Sequence, residues 1–225
     1  MNIILFGPPG AGKGTQADNI SKKFNLHKIS TGELLRDEIH KNTELGVKIK
    51  SIVDRGSLVS DDIINNLIIK VFAEKNFSNR IIFDGYPRNI SQAKSLDLLV
   101  KRNKQKISCV LNLDVKKEIT IKRILGRQVC TKCGLIFNKY FKPSTKDNHS
   151  CDVKYLSKRS DDYEKIIASR FETYLNITFP ILEFYKNQNL LHIINGDAEI
   201  SVIYKEIEGI IASLETWLCK LYLYK

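Results

Sequence analysis

The 225-residue chain is 43% hydrophobic, enough for a core, yet no apolar run reaches the length of a membrane-spanning helix. Its formal net charge of +11 would suit nucleic acid. The charge is spread along the chain without interleaved aromatics, which argues against that class of partner. Met1 and Asn2 lead directly into an apolar run with no basic start or cleavage site, so the expectation is a cytoplasmic protein with reduced cysteines.

In chain order, apolar β-type runs alternate with helical patterns. Ile3-Ile4-Leu5-Phe6 reads as a strand, followed by a glycine-rich loop and a helix over 15–24. A short strand is expected near 26–30. Helical, polar sequence without a strand then occupies 30–59, with a helix over 31–41, and another helix follows over 61–74. Ile81-Ile82-Phe83-Asp84 is the next strand, then a helix over 91–101, a strand over 109–113 and a helix over 117–125. Residues 126–162 break the pattern with cysteines, aromatics and turn residues and predict a small separate lobe. One long helix is expected over 162–187, a strand over 190–194 ending at Asn195-Gly196, and a helix over 198–217. The tail carries Trp217, Cys219, Leu221, Tyr222, Leu223 and Tyr224, and is expected to extend that helix and cover core. Strands alternating with helices predict an α/β fold, a parallel sheet covered on both faces, with ligands at the carboxyl ends of the strands.

Residues 7–15, Gly-Pro-Pro-Gly-Ala-Gly-Lys-Gly-Thr, follow the first strand and open the first helix. This is a G-x-x-x-x-G-K loop, with Thr15 one place late because Gly14 intervenes. Such a loop wraps a phosphate in successive backbone N–H groups, with the positive end of a helix behind it. Gly10, Ala11, Gly12, Lys13, Gly14 and Thr15 are therefore candidate nucleotide-phosphate ligands. Lys13 would reach the terminal phosphates, and Thr15 would lie near a metal. Nine of the 36 basic residues are arginines. An arginine kept where lysine is so favoured suggests planar, bidentate phosphate contact.

Cys130-x-x-Cys133 and His149-x-Cys151-Asp152 form two candidate ligand pairs with zinc-knuckle spacing. The candidate set is Cys130, Cys133 and Cys151 with either His149 or Asp152. Zinc there would be structural, holding a lobe too small for its own core. Cys109 and Cys219 read as ordinary buried cysteines.

Several segments together resemble the adenylate kinases over essentially the whole chain: the loop at 7–16, Ser30-Thr31-Gly32 with Arg36, Gly56-Ser57-Leu58-Val59, Asp84-Gly85-Tyr86-Pro87-Arg88 with Gln92, Arg123 with Arg127, Arg159-Ser160-Asp161-Asp162 with Arg170, and Asn195-Gly196. The resemblance implies a P-loop nucleoside-monophosphate-kinase fold with a parallel five-stranded sheet. It implies a core of 1–29, 60–125 and 163–225, a monophosphate-binding lobe at 30–59 and a long lid at 126–162. The implied reaction is ATP + AMP ⇌ 2 ADP with Mg²⁺, carried by a monomer. ATP, AMP and ADP would be its partners, with no nucleic acid and no membrane.

By the same resemblance, Lys13 bridges the ATP phosphates and the transferring group, and Asp84 holds Mg²⁺ through water. Arg36 and Arg88 grip the AMP phosphate. Arg123 and Arg127 serve the ATP side together with Ile136, Phe137 and Ala198. Arg159 and Arg170 reach the transferring phosphate and the AMP side. Asp161 and Asp162 orient arginines at the lid hinge. Thr31, Gln92 and the main chain near Ser57, Leu58, Val59 and Gly85 would read the AMP base, and Tyr86 and Pro87 would also belong to the AMP site. GTP as donor, or a pyrimidine nucleotide as acceptor, is the alternative within the fold. A GTPase-like switch would want an Asn-Lys-x-Asp motif, and the sequence has none. A zinc-ribbon nucleic-acid protein would leave Asp-Gly-Tyr-Pro-Arg unexplained.

Overall fold

The structure, a computed structural model, describes residues 1–74, 79–146 and 148–223, and the side chains of all of these except 74 and 217–223. Among the described residues a five-stranded sheet has the order β2-β3-β1-β4-β8, every neighbouring pair parallel. The strands are β1 (Asn2–Phe6), β2 (His27–Ser30), β3 (Ile81–Asp84), β4 (Ile107–Asp114) and β8 (Leu191–Asn195).

Both faces of this sheet are covered, which is why the central strands are continuous apolar runs rather than alternating ones. Side chains at Ile4, Phe6, Ile81, Phe83 and Val110 enter one core layer. Their neighbours Ile3, Leu5, Ile82, Cys109, Leu111 and Leu113 enter the other. The second layer is closed by helix α1 (Lys13–Phe24), which buries Gln16, Ala17, Ile20 and Phe24. Helix α9 (Ile200–Leu223) joins it with Ile203, Ile207 and Ile211. The first layer lies under α2 (Thr31–His40), α3 (Glu44–Val53), α4 (Asp61–Glu74), α5 (Ile90–Arg102) and α8 (Pro180–Lys186).

Helix α6 (Lys117–Leu125) leads into a second sheet of three antiparallel strands, order β6-β5-β7, formed by β5 (Arg127–Cys130), β6 (Ile136–Asn138) and β7 (Leu156–Ser157). Asn138 donates to the Arg123 carbonyl at 2.7 Å, tying this sheet to the end of α6.

Two expectations need correction. The single helix expected over 162–187 is instead α7 (Glu164–Thr173), a π-helical turn at Tyr174–Thr178, and α8. Pro180 has no N–H and opens α8, while the Phe179 N–H donates to Tyr174 at 2.8 Å. The short strands of the second sheet are not among the expected elements. The last helix does run on to Leu223, but the side chains of Trp217, Cys219, Leu221, Tyr222 and Leu223, and all of Tyr224, lie outside the described residues.

Candidate functional site

The carboxyl ends of β1, β2 and β3 open into one cleft of about 1940 Å³. This is roughly twice the upper end of an ordinary small-molecule pocket, about 1,000 Å³. The loop between β1 and α1 forms its floor. Gly10 has φ +83°, and a Cβ there would lie 2.6 Å from the Thr120 carbonyl. Gly12, at φ +94°, caps α1 and faces open space. Both positions need glycine, and the result is a bare helix N-terminus turned toward the cleft.

Lys13 folds back over the loop and donates to the Gly7 and Pro8 carbonyls at 2.8 and 3.0 Å. Burial pushes its pKa down to about 8 against the attraction of Asp84, and Arg88, Arg170 and Arg127 push the same way as burial. Asp84 ends β3 opposite Leu5 of β1, accepts from Ser30 Oγ at 3.3 Å, and lies 3.6 Å from where a Cβ on Gly14 would stand. Its carboxylate thus sits beside the first turn of α1. Hard oxygen donors beside a phosphate loop fit Mg²⁺.

The arginines converge on this point. Arg88 Nε donates to the Gly85 carbonyl at 2.9 Å, and Thr178 donates to the Arg88 carbonyl at 2.9 Å. The Arg36 guanidinium lies against Gly32, 3.3 Å from a Cβ placed there. Arg170 donates to Asp161 Oδ2 at 2.6 Å. Arg127 Nε donates to Asp162 Oδ2 at 2.8 Å and makes a second contact from Nη2 to Oδ1. Asp162 is 1% exposed. The Asp161 and Asp162 carboxylates therefore hold arginines. Arg123 donates to the Gly196 carbonyl at 2.8 Å and to Ala198 at 3.3 Å.

Burial lowers the pKa of Arg88, Arg159, Arg170 and Arg123. For the first three, other arginines of the cluster add to the shift: Arg170 and Arg36 act on Arg88, and Arg127 and Arg36 on both Arg159 and Arg170. Arg127 is the exception. Its burial would lower the pKa, but the Asp162 pair outweighs burial and raises it. Guanidinium groups stay charged, so these shifts reflect first the burial of the cations and, for Arg88, Arg159 and Arg170, their crowding as well.

The other expected nucleotide contacts also line the cleft: Gly10 to Thr15, Thr31, Ser57, Leu58, Val59, Gly85, Pro87, Gln92, Ile136, Phe137 and Ala198. Tyr86 does not. It is 2% exposed, packs on Phe83, and its hydroxyl donates to Asn65 at 2.7 Å, so its side chain belongs to the core. Thr31 Oγ1 donates to Gly85 at 2.7 Å and keeps its lone pairs as acceptors.

Sequence reasoning does not single out Asp61, Asn89, Tyr140 or Phe141. Asn89 could have been found. It stands three residues before Gln92 and caps α5 by accepting the Gln92 N–H at 2.8 Å. Tyr140 and Phe141 line the cleft. Lys122 lies over both rings at 5.4 and 5.7 Å, and Arg123 lies over Phe141 at 5.5 Å.

At the end of β5 and in the loops of the second sheet, Cys130, Cys133, His149 and Cys151 bring their ligand atoms within 4.8 Å of one another. His149 Nδ1 is 2.9 Å from Ser144 Oγ, and its ring packs on Phe137 at 4.7 Å. Nε2 is buried with no hydrogen-bond partner. That atom is the remaining donor of a group that could hold a metal. Asp152 stands apart. It caps the turn at Val153–Tyr155 by accepting the Lys154 N–H at 2.9 Å, and its side chain pairs with Lys154. The fourth member of the cluster is therefore His149.

A phosphate loop at the end of β1, an acidic residue at the end of β3 and a ring of arginines around a double-sized cleft define a P-loop kinase of nucleoside monophosphates. The family model described as Adenylate kinase matches residues 5–190. An adenylate kinase of Pelagibacter ubique is 47% identical over 212 residues, covering 94% of this chain and 99% of its own length. That of Petrotoga mobilis is 40% identical over 215 residues (95% and 98%), and that of Archaeoglobus fulgidus 37% over 218 residues (96% and 100%). The chain belongs to the adenylate kinase family.

Lys13 generates a pH prediction. Its folded pKa lies below the usual lysine value, so the free protein loses this charge as pH rises through about 8. A bound polyphosphate restores the charge. ATP binding at pH 9 is expected to take up a proton, visible as a dependence of titration heat on buffer ionisation enthalpy, with kcat/KM for ATP falling above pH 8. Binding that is proton-neutral at pH 9 would contradict the shift.

Proposed function

We propose that the chain catalyses ATP + AMP ⇌ 2 ADP, with both nucleotides bound in the one cleft. The observation that carries this reading is the convergence of Lys13, Arg36, Arg88, Arg127, Arg159 and Arg170 between the phosphate loop and Gly85. The γ-phosphoryl leaves the β-phosphate oxygen of ATP and bonds to a phosphate oxygen of AMP, with little covalent work for the protein. The residues' task is alignment and charge stabilisation. Lys13 spans the donor phosphates, and Arg36 and Arg88 hold the acceptor phosphate in line. Arg123 and Arg127 hold the donor, with Ile136, Phe137 and Ala198 beside its base. Arg159 and Arg170 stabilise the equatorial oxygens as charge spreads onto them.

Asp84 would hold Mg²⁺ beside Thr15, and the ion supplies neutralisation of the donor phosphates. Residues 30–59 form the monophosphate-binding lobe and 126–162 the lid, both carried by a core of 1–29, 60–125 and 163–225. Closure brings the arginines of lid and hinge over the phosphates and excludes water. Cys130, Cys133, His149 and Cys151 would hold one structural Zn²⁺. Three thiols and an imidazole form a soft donor set of the kind that selects this metal. The enzyme works as a monomer in a reducing, cytoplasmic compartment, with no nucleic-acid or membrane partner. No helix among the described residues is long and apolar enough to cross a membrane.

Arg88→Ala is expected to lower kcat for ADP formation by about 10³-fold with an unchanged far-ultraviolet spectrum, the scale of losing one preorganised donor at the transferring group. An unchanged rate would remove the central assignment. Protein purified without chelator is expected to carry one zinc per chain. Stripping it should lower Tm by about 5–10 °C, the equivalent of two or three kcal/mol in a chain of this size. Metal analysis that finds none would remove the zinc reading.

A further inference from the structure

Gln92 sits in the cleft at 2% exposure, and both ends of its amide are already engaged. Oε1 accepts the Arg88 backbone N–H at 2.8 Å, and Nε2 donates to Asp61 Oδ1 at 2.7 Å. Asn89 closes the ring. Its Nδ2 donates to the same Asp61 oxygen at 2.8 Å, and its Oδ1 accepts the Gln92 N–H at 2.8 Å. Asp61 opens α4 and Asn89 caps α5, so two helix N-termini fix the geometry.

We propose that Asp61 is the specificity-positioning residue of the acceptor site: it locks the Gln92 amide in the one orientation that reads a 6-aminopurine and rejects a 6-oxopurine. The inference rests on the reading of Gln92 as an acceptor-base contact. An amide oxygen has two lone pairs and an amide nitrogen two hydrogens. With one of each spent on Arg88 and Asp61, one acceptor and one donor remain at fixed places. Adenine offers an exocyclic N–H and the N1 lone pair, which match acceptor and donor in that order. Hypoxanthine and guanine offer a carbonyl and an N1–H, the reverse order.

To accept a 6-oxopurine the amide must flip. A flip would set Nε2 against the Arg88 N–H and Oε1 against the Asp61 carboxylate. The backbone N–H cannot move, and the carboxylate cannot donate in its ionised form. Removing the accepting oxygen at position 61 takes away half of this lock. Asp61 touches no substrate in this account and acts through Gln92.

The test compares kcat/KM for AMP and for inosine monophosphate, whose base differs in presenting the 6-oxo pattern. In Asp61→Ala the AMP-to-IMP ratio is expected to fall about tenfold, the scale of one buried hydrogen-bond mismatch, with the change mainly in the two KM values. Asp61→Asn keeps an oxygen that can accept both N–H groups and is expected to restore most of the ratio. A parallel loss for both nucleotides in Asp61→Ala, with the ratio held, would overturn the proposal and leave Asp61 a structural residue. If Asp61→Ala does not melt cooperatively, Asp61→Ser, whose hydroxyl is too short to reach Gln92, takes its place with the same two outcomes. Gln92→Ala separates the two levels of the argument. A collapsed ratio there with an unchanged ratio in Asp61→Ala refutes the lock alone. An unchanged ratio in Gln92→Ala refutes the base reading, and the lock with it.

Discussion

Cations crowded into one cleft are the constraint on which the rest of the structure depends. Lys13, Arg36, Arg88, Arg127, Arg159 and Arg170 lie close enough that most of them depress one another's pKa. In water such charges would spread apart. Here the fold holds them together, and Asp84, Asp161 and Asp162 compensate only part of the charge. Asp161 and Asp162 are the most committed, each gripping one arginine. They keep Arg127 and Arg170 aimed at the cleft while leaving donors for phosphate, since a guanidinium carries five N–H groups. The uncompensated remainder is electrostatic preorganisation. It costs folding free energy in the empty protein and is relieved when polyphosphate enters.

Such crowding demands a stiff frame. The frame is the parallel sheet, buried on both faces, with Leu5 paired to Asp84 across the β1–β3 register. That pairing sets the acidic residue beside the phosphate loop and the first turn of α1. The loop from β3 to α5 then carries Gly85, Arg88 and Gln92 in one short stretch. A single strand end thus carries the candidate metal, phosphate and base contacts together. The antiparallel sheet beyond α6 is much smaller, with strands of four, three and two residues. Beside it lie Cys130, Cys133, His149 and Cys151, a group that could hold a metal.

The sequence made the central strands readable because burial on both faces turns them into unbroken runs of Ile, Leu, Val and Phe. The phosphate loop was equally readable, since its glycines answer to local backbone geometry. What escaped was decided by tertiary context. The helix expected over 162–187 fails at Tyr174–Thr178 because Pro180 removes one donor and the backbone re-pairs locally, an event that periodicity does not register. Spacing alone left His149 and Asp152 as equal candidates. The path of the loop decides between them, bringing His149 beside the three thiols and turning Asp152 to cap the following turn. Tyr86 lies inside the most recognisable segment of the chain and yet points into the core. Asp61 carries no motif at all, and its link to Gln92 spans 31 positions in sequence.

The account's central claim is that donor and acceptor phosphates meet among these cations. The most direct measurement is transfer itself: purified protein with ATP and Mg²⁺, incubated separately with AMP, GMP, CMP and UMP, with all diphosphate products quantified. The account predicts Mg²⁺-dependent ADP formation with AMP far above the other acceptors. ATP binding without transfer to any acceptor, or preferred transfer to a pyrimidine nucleotide, would contradict it.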